Sequence, residues 1–143
     1  MEKAYTIVLK NLREEHNFKL QEECAKQIIF LLQHGNNSLR DEIGKLCHEY
    51  FTSTNYYERR LFVPMFEEAL SLFSIQFIKN SKLLNYYLIL LDNDHPLILN
   101  KLIRLLPTIY PLINSDNVTK SQIMSELKDI KEKVKDRETT LVL

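Results

Sequence analysis

The octapeptide AKQIIFLL at Ala25–Leu32 returns in pattern as VPMFEEAL at Val63–Leu70 and as LIRLLPTI at Leu102–Ile109. Ala25, Val63 and Leu102 then align, as do Ile28, Phe66 and Leu105, and Leu32, Leu70 and Ile109. Residues three, four and seven apart share one side of an α-helix, so three helices carry the same apolar stripe in the same register. The polar breaks keep the interval too, with Asn17, Asn55 and Asp94 standing 38 and 39 residues apart. The repeating unit is a pair of helices.

The flanking segments supply the partners. Tyr5, Val8, Leu9 and Leu12 predict a helix over 2–13, stopped by the polar run Glu14–Asn17. Leu20, Cys24, Ile28, Leu31 and Leu32 extend the second helix over 18–34, and Gly35 before Asn36 and Asn37 predicts a left-handed stop. Ser38, three before Asp41, reads as a capping-box start for a third helix bearing Leu39, Ile43, Leu46, Cys47 and Tyr50. Thr52–Asn55 offers caps to a fourth, with Phe62, Val63, Phe66, Ala69, Leu70 and Phe73 on its stripe. Pro64 inside it predicts a kink near Arg60 or a later start. A fifth helix over 80–91 carries Leu84, Tyr87, Leu88 and Leu91, and Pro96 opens a sixth bearing Ile98, Leu102, Leu105, Ile109 and Leu112, bent by Pro107 and Pro111. The seventh, over 119–136, has a narrow seam of Ile123, Leu127, Ile130 and Val134 among charged residues.

Composition agrees with helices. The chain has 143 residues with 19 basic and 19 acidic side chains, so no net field draws it to nucleic acid or an anionic membrane. Two glycines and four prolines leave little room for phosphate-cradling loops or tight hairpins. Cys24 and Cys47 are too few for a disulfide framework and have no CxxC spacing, which suits a reducing, cytoplasmic compartment. Charges interrupt the first apolar stretches, unlike a signal peptide, and the run Leu83–Leu91 is about half the ~20 residues of a membrane helix.

Paired helices at a period near 40 characterise HEAT and armadillo solenoids, whose units bury their apolar faces only by stacking. The expected fold is all-α: a right-handed α-solenoid of three HEAT-like hairpins at about 2–35, 38–74 and 77–114, with a capping helix at 119–136. These make one repeat domain, 1–136, followed by a flexible tail at 137–143 whose apolar end, Leu141–Leu143, suits a short recognition peptide.

Three stretches carry a closer likeness. NYYERRLF at Asn55–Phe62, LLNYYLILLDNDHP at Leu83–Pro96 and LLPTIYPLI at Leu105–Ile113 resemble HEAT repeats of the scaffold subunit of type-2A protein phosphatases and of related phosphatase-4 regulatory subunits. In that family an aspartate and a proline occupy the turn within a pair, and a hydrophobic residue and an arginine open the second helix. Asp92, Asp94, Pro96 and Ile98 match; Leu99 stands at the arginine position, and Arg59 or Arg60 offers the guanidinium that ladders neighbouring turns in the family. The resemblance covers about half the chain, and the family's scaffolds are several times longer. It implies a protein partner, a phosphatase catalytic subunit.

A catalytic set is hard to assemble. His16, His34, His48 and His95 fall mostly at helix ends, and no HExxH, GxxxxGK[ST] or GxGxxG occurs. Cys47 and His48 could join Cys24 and His34 in a zinc site, but both cysteines lie on apolar faces where a thiol acts as a small hydrophobe. Neighbouring carboxylates such as Glu22–Glu23 and Glu67–Glu68 diverge by ~100° on a helix and cannot form a dyad. The expectation is a non-enzymatic scaffold or adaptor without cofactor. Its binding residues are expected in the turns, where side chains are free of core duty: Asn55, Tyr56, Tyr57 and Arg59 in one, Asp92, Asn93, Asp94 and His95 in the next. The tyrosines are read as packing or protein contact rather than nucleic-acid stacking, because acids alternate with the lysines. The other reading is a structural subunit of a cytoskeletal or ribonucleoprotein assembly, with the long helices as its interface.

Overall fold

A computed structural model describes residues 2–93, 95–113, 120–125, 127–129 and 132, with backbone alone at 75, 79, 80, 93, 112 and 113. Among the described residues there is no strand, and the chain is all-α as expected. The helices are α1 (Glu2–Glu14), α2 (Phe18–His34), α3 (Asn37–Phe51), α4 (Tyr56–Arg59), α5 (Phe62–Leu72), α6 (Ile75–Asn80), α7 (Leu83–Asn93), α8 (Pro96–Arg104) and α9 (Leu106–Ile113). Residues 120–125 and 127–129 are also helical, within the expected capping helix, whose Ile130 and Val134 lie outside the described residues, as does the tail 137–143. The chain divides after Leu83 into two compact units.

In the first unit α2 is central, lying against α1, α3 and α5. Its stripe explains this: Ala25, Ile28, Ile29 and Leu31 are buried. Six consecutive residues, Leu61–Phe66, are buried too, so the start of α5 is apolar on every side and is enclosed by its neighbours. Phe51, Phe62 and Phe66 stack edge to face at 4.9 and 5.0 Å, which adds to their burial about 0.5–1.5 kcal/mol per pair.

The repeated polar breaks are helix starts. Asn17 Oδ1 accepts the amides of Lys19 and Leu20 at 2.9 and 3.4 Å, and Asn55 Oδ1 accepts that of Tyr57 at 2.9 Å. Each satisfies backbone donors that a helix leaves unpaired, a contribution of about 1 kcal/mol per cap. At the third break, Asp94 lies outside the described residues; next to it His95 caps α8, its Nδ1 accepting from Leu97 N at 3.2 Å. Pro96 is at the first turn of α8 as expected.

Other local expectations are corrected. Gly35 ends α2 in extended backbone, φ −78° and ψ 162°, and not in the left-handed region. It is needed for space: an added Cβ would meet the Leu31 carbonyl oxygen and Leu39 Cδ2, each at 2.8 Å. Asn36 caps α3 in place of Ser38, because its Oδ1 reaches Leu39 N at 2.9 Å. Pro64 is met by the later start: the chain turns at Arg60 and Leu61, and α5 begins at Phe62, so the proline falls in the first turn, where its missing N–H is harmless. The fifth helix begins at Leu83, and a short separate helix, α6, precedes it. The sixth helix is two, parted at Leu105 one residue before the run containing Pro107. Leu105 is therefore half-buried, unlike Ile28 and Phe66, with which the repeat aligns it, and Leu106 is the buried residue.

Arg40 on α3 fastens the end of α2. Its Nε and Nη2 donate to the Leu32 and Gln33 carbonyls at 3.1 and 3.0 Å, filling acceptors that the helix terminus leaves open. Gln33 Nε2 also donates to the Leu72 carbonyl at 3.2 Å, tying α2 to the last residue of α5.

In the second unit Leu84, Tyr86, Tyr87, Leu90 and Leu91 of α7 are buried, as are Ile98, Leu102, Leu106, Ile109 and Ile123. The Tyr87 hydroxyl donates to the Leu102 carbonyl at 2.7 Å. Burial, followed by the nearby Tyr110, raises the Tyr87 pKa above the usual tyrosine value.

Candidate protein-binding site

The expected binding residues fall in different units. Asn55, Tyr56, Tyr57 and Arg59 belong to the first, in the turn between α3 and α5 that contains α4. Asp92, Asn93, Asp94 and His95 belong to the second, between α7 and α8.

In the first turn, Asn55 is exposed but committed: its side chain caps α4, and its own amide donates to Ser53 Oγ at 3.0 Å. Arg59 is committed as well, since its Nη1 donates to the Ser53 carbonyl at 3.0 Å and closes the loop on itself. Tyr56 is half-buried and meets Tyr57 edge to face at 5.3 Å. Tyr57 is the outlier at 63% exposed, a large aromatic ring presented to solvent.

The residue that organises this turn is Arg60, which the family likeness offers with Arg59 for laddering turns but which is not among the expected binding residues. Arg60 lays its guanidinium over the Phe18 ring at 3.7 Å from the centroid and lies 4.9 Å from that of Tyr57. Phe18 opens α2 immediately after the break at Asn17, while Arg60 follows α4 after the break at Asn55. The two turns that the sequence aligns thus touch through one cation–π stack, an interaction of about 0.5–2 kcal/mol depending on desolvation. Arg60 Nε is buried with no hydrogen-bond partner. The available signal was the adjacent Arg59–Arg60 pair, in which either arginine could have been the one linking turns; periodicity alone does not choose between them.

In the second unit Asp92 is exposed on the last turn of α7, and exposed His95 caps α8. The side chain of Asn93 and all of Asp94 lie outside the described residues. Residues of the charged seventh helix, Met124, Ser125, Leu127 and Lys128, line an open groove of about 510 Å³, where Tyr110 Oη donates to Met124 Sδ at 3.9 Å.

The thiols and imidazoles considered for zinc have separate surroundings. Cys47 is buried in α3, and burial pushes its pKa up to about 12. Burial, then Glu15 and Glu23, raises that of half-buried Cys24. His34 stacks on Phe30 at 4.4 Å. Among the described residues, no three His, Cys, Asp or Glu side chains are grouped to hold one metal ion. No described helix is long and apolar enough to cross a membrane.

The chain matches no protein-family model, no curated protein and no solved structure.

Proposed function

We propose that this chain is a non-enzymatic protein-binding adaptor of the HEAT-like solenoid kind, working in the cytoplasm, and that its partner docks on the turn around Tyr57. The Arg60–Phe18 stack carries this reading, because it brings two sequence-equivalent turns side by side, as laddered turns of stacked hairpins require. Tyr57 supplies the second ingredient. Exposed tyrosine next to arginine is the composition from which interface hot spots are most often built. By resemblance, the partner to try first is a type-2A or type-4 phosphatase catalytic subunit.

The test is capture from lysate by the full chain, compared with Tyr57→Ala and Lys128→Glu variants of matched melting temperature. Loss of partners with Tyr57→Ala alone supports the reading. Loss with Lys128→Glu alone moves the interface to the helical residues 120–125 and 127–129 and overturns the site. Retention by both variants of a cytoskeletal or ribonucleoprotein set favours the structural-subunit alternative.

A further inference from the structure

The uncommitted chemistry in the first unit converges on Arg60. A half-buried guanidinium normally has a carboxylate or several carbonyls around it, because removing its charge from water without a partner is costly. Here Nε is enclosed without a hydrogen-bond partner, and no carboxylate forms an ion pair with Arg60 among the described residues. Its neighbours are instead two rings, Phe18 at 3.7 Å and Tyr57 at 4.9 Å from the guanidinium carbon. Nε is enclosed, so the donors that Arg60 can offer a ligand are those of Nη1 and Nη2, which are not among the buried unpartnered atoms.

Two acids are near in sequence, Glu58 two residues before Arg60 on α4 and Glu22 one turn after Phe18 on α2, and neither forms an ion pair with Arg60 among the described residues. Neighbouring Arg59 is used internally on the Ser53 carbonyl. The first turn of α2, which begins at Phe18, has no acidic residue and carries Lys19. The nearest acid along the chain before α2, Glu15, is turned to its own backbone, where Oε1 accepts the amides of His16 and Asn17 at 3.0 Å each. Beside the charge stands the exposed ring of Tyr57, braced by Tyr56 at 5.3 Å.

We propose that Arg60, resting over Phe18 and beside Tyr57, is an anchor for a carboxylate of an acidic peptide segment on a protein partner, with an apolar neighbour of that carboxylate lying on Tyr57. This rests on the protein-binding reading above and adds the partner's chemistry to it. The two rings fix the guanidinium before binding, so little side-chain freedom is lost when the carboxylate arrives. Charge-assisted bonds to a planar donor pair supply the specificity that Tyr57 alone lacks.

The experiment uses the full chain and a phage-displayed library of random twelve-residue peptides, followed by titration of the selected peptides by fluorescence anisotropy. The expected result is enrichment of Asp or Glu beside an aromatic or aliphatic residue. Replacing that acid by its amide, or making Arg60→Met in the protein, should weaken binding by about ten-fold or more, as loss of a charge-assisted pair does. Arg60→Lys keeps the charge but not the planar fork, and should recover only part of the loss. It also serves as the readout if Arg60→Met melts early. Three results would overturn the proposal. Peptides selected without acidic bias, lost on Tyr57→Ala but not on Arg60→Met, would remove the anion site and leave the protein-binding reading standing. A peptide bound ten-fold tighter with phosphoserine than with glutamate would reassign the site to phosphate. Failure to select any peptide sensitive to Tyr57 or Arg60 would remove both the anchor and the docking turn.

Discussion

Gly35 and Gly44 are the two glycines of the chain, and changing each to alanine should shift stability in opposite directions. Gly35 has a backbone conformation that alanine adopts freely, φ −78° and ψ 162°, so only space is at stake. The new methyl would lie 2.8 Å from the Leu31 carbonyl oxygen, and that oxygen already accepts the Gly35 N–H at 2.7 Å. Leu39 Cδ2 can move by rotation but its Cβ, at 3.2 Å, cannot, and the carbonyl can retreat only by opening the last turn of α2, which Arg40 and Gln33 hold from either side. Such overpacking costs about 1–3 kcal/mol. Lower freedom of alanine in the unfolded chain returns about 0.4–1 kcal/mol. The net destabilisation is about 1 kcal/mol, within bounds of about 0–2.6 kcal/mol, and a fall in Tm of roughly 4–8 °C for a unit this size. Gly44 is exposed in the middle of α3 with nothing within 4 Å of an added Cβ, so alanine there should stabilise by about 0.5–1 kcal/mol through helix propensity. Thermal and urea unfolding followed by circular dichroism would measure both. A Gly35→Ala protein at least as stable as wild type would refute the claim that close approach, and not turn geometry, selects glycine there.

Phe66→Ala should cost about 3–5 kcal/mol because the ring is wholly buried, while half-buried Leu105 should cost clearly less on truncation; equal losses in urea titrations would restore the uniform register of the three stripes. Tyr87→Phe should destabilise by about 1–2 kcal/mol, since the Leu102 carbonyl loses a buried donor; an unchanged urea midpoint would show that the hydroxyl contributes nothing. Cys47 should resist a thiol reagent in the native state, whereas Cys24 reacts first. With the buried thiol at about 12 and an ordinary one at 9.0, the folded chain holds its proton where the unfolded chain gives it up. The Cys47 contribution is thus complete below pH 9 and lost as pH rises towards 12; a Cys47→Ala protein with the same alkaline decline as wild type would refute it.

The features legible in sequence are those governed by contacts a few residues apart. Asn17 and Asn55 cap because their side chains reach amides two or three positions on, and Pro96 opens α8 because its ring suits a first turn. Of the apolar period read along α2, Ile28 and Leu31 are buried, but Leu20 is exposed and Cys24 and Leu32 are half-buried, because the neighbouring helices cover the face centred on Ala25, Ile28 and Ile29. What was not legible depends on distant chain. The break at Leu105 interrupts a pattern that remains continuous on paper, and Gly35 is set by the approach of Leu39 from the next helix. The candidate turn shows the same division. The sequence names Tyr56 and Tyr57 alike, and only packing shows that Tyr57 is the exposed one; likewise the choice of Arg60 over Arg59 depends on where Phe18 lies in space, more than forty residues back in the chain.

The central place of α2 sets a timetable for synthesis. Its partner α1 precedes it, so that pair can form as soon as residue 34 is clear of the ribosome, but the side of α2 that α5 covers is complete only when Leu72 follows. At about 5–20 residues per second, the interval of 38 residues leaves that apolar side uncovered for roughly 2–8 s. Chaperones that recognise exposed helical stripes have that window, and a nascent chain halted between His34 and Leu72 should be their best substrate.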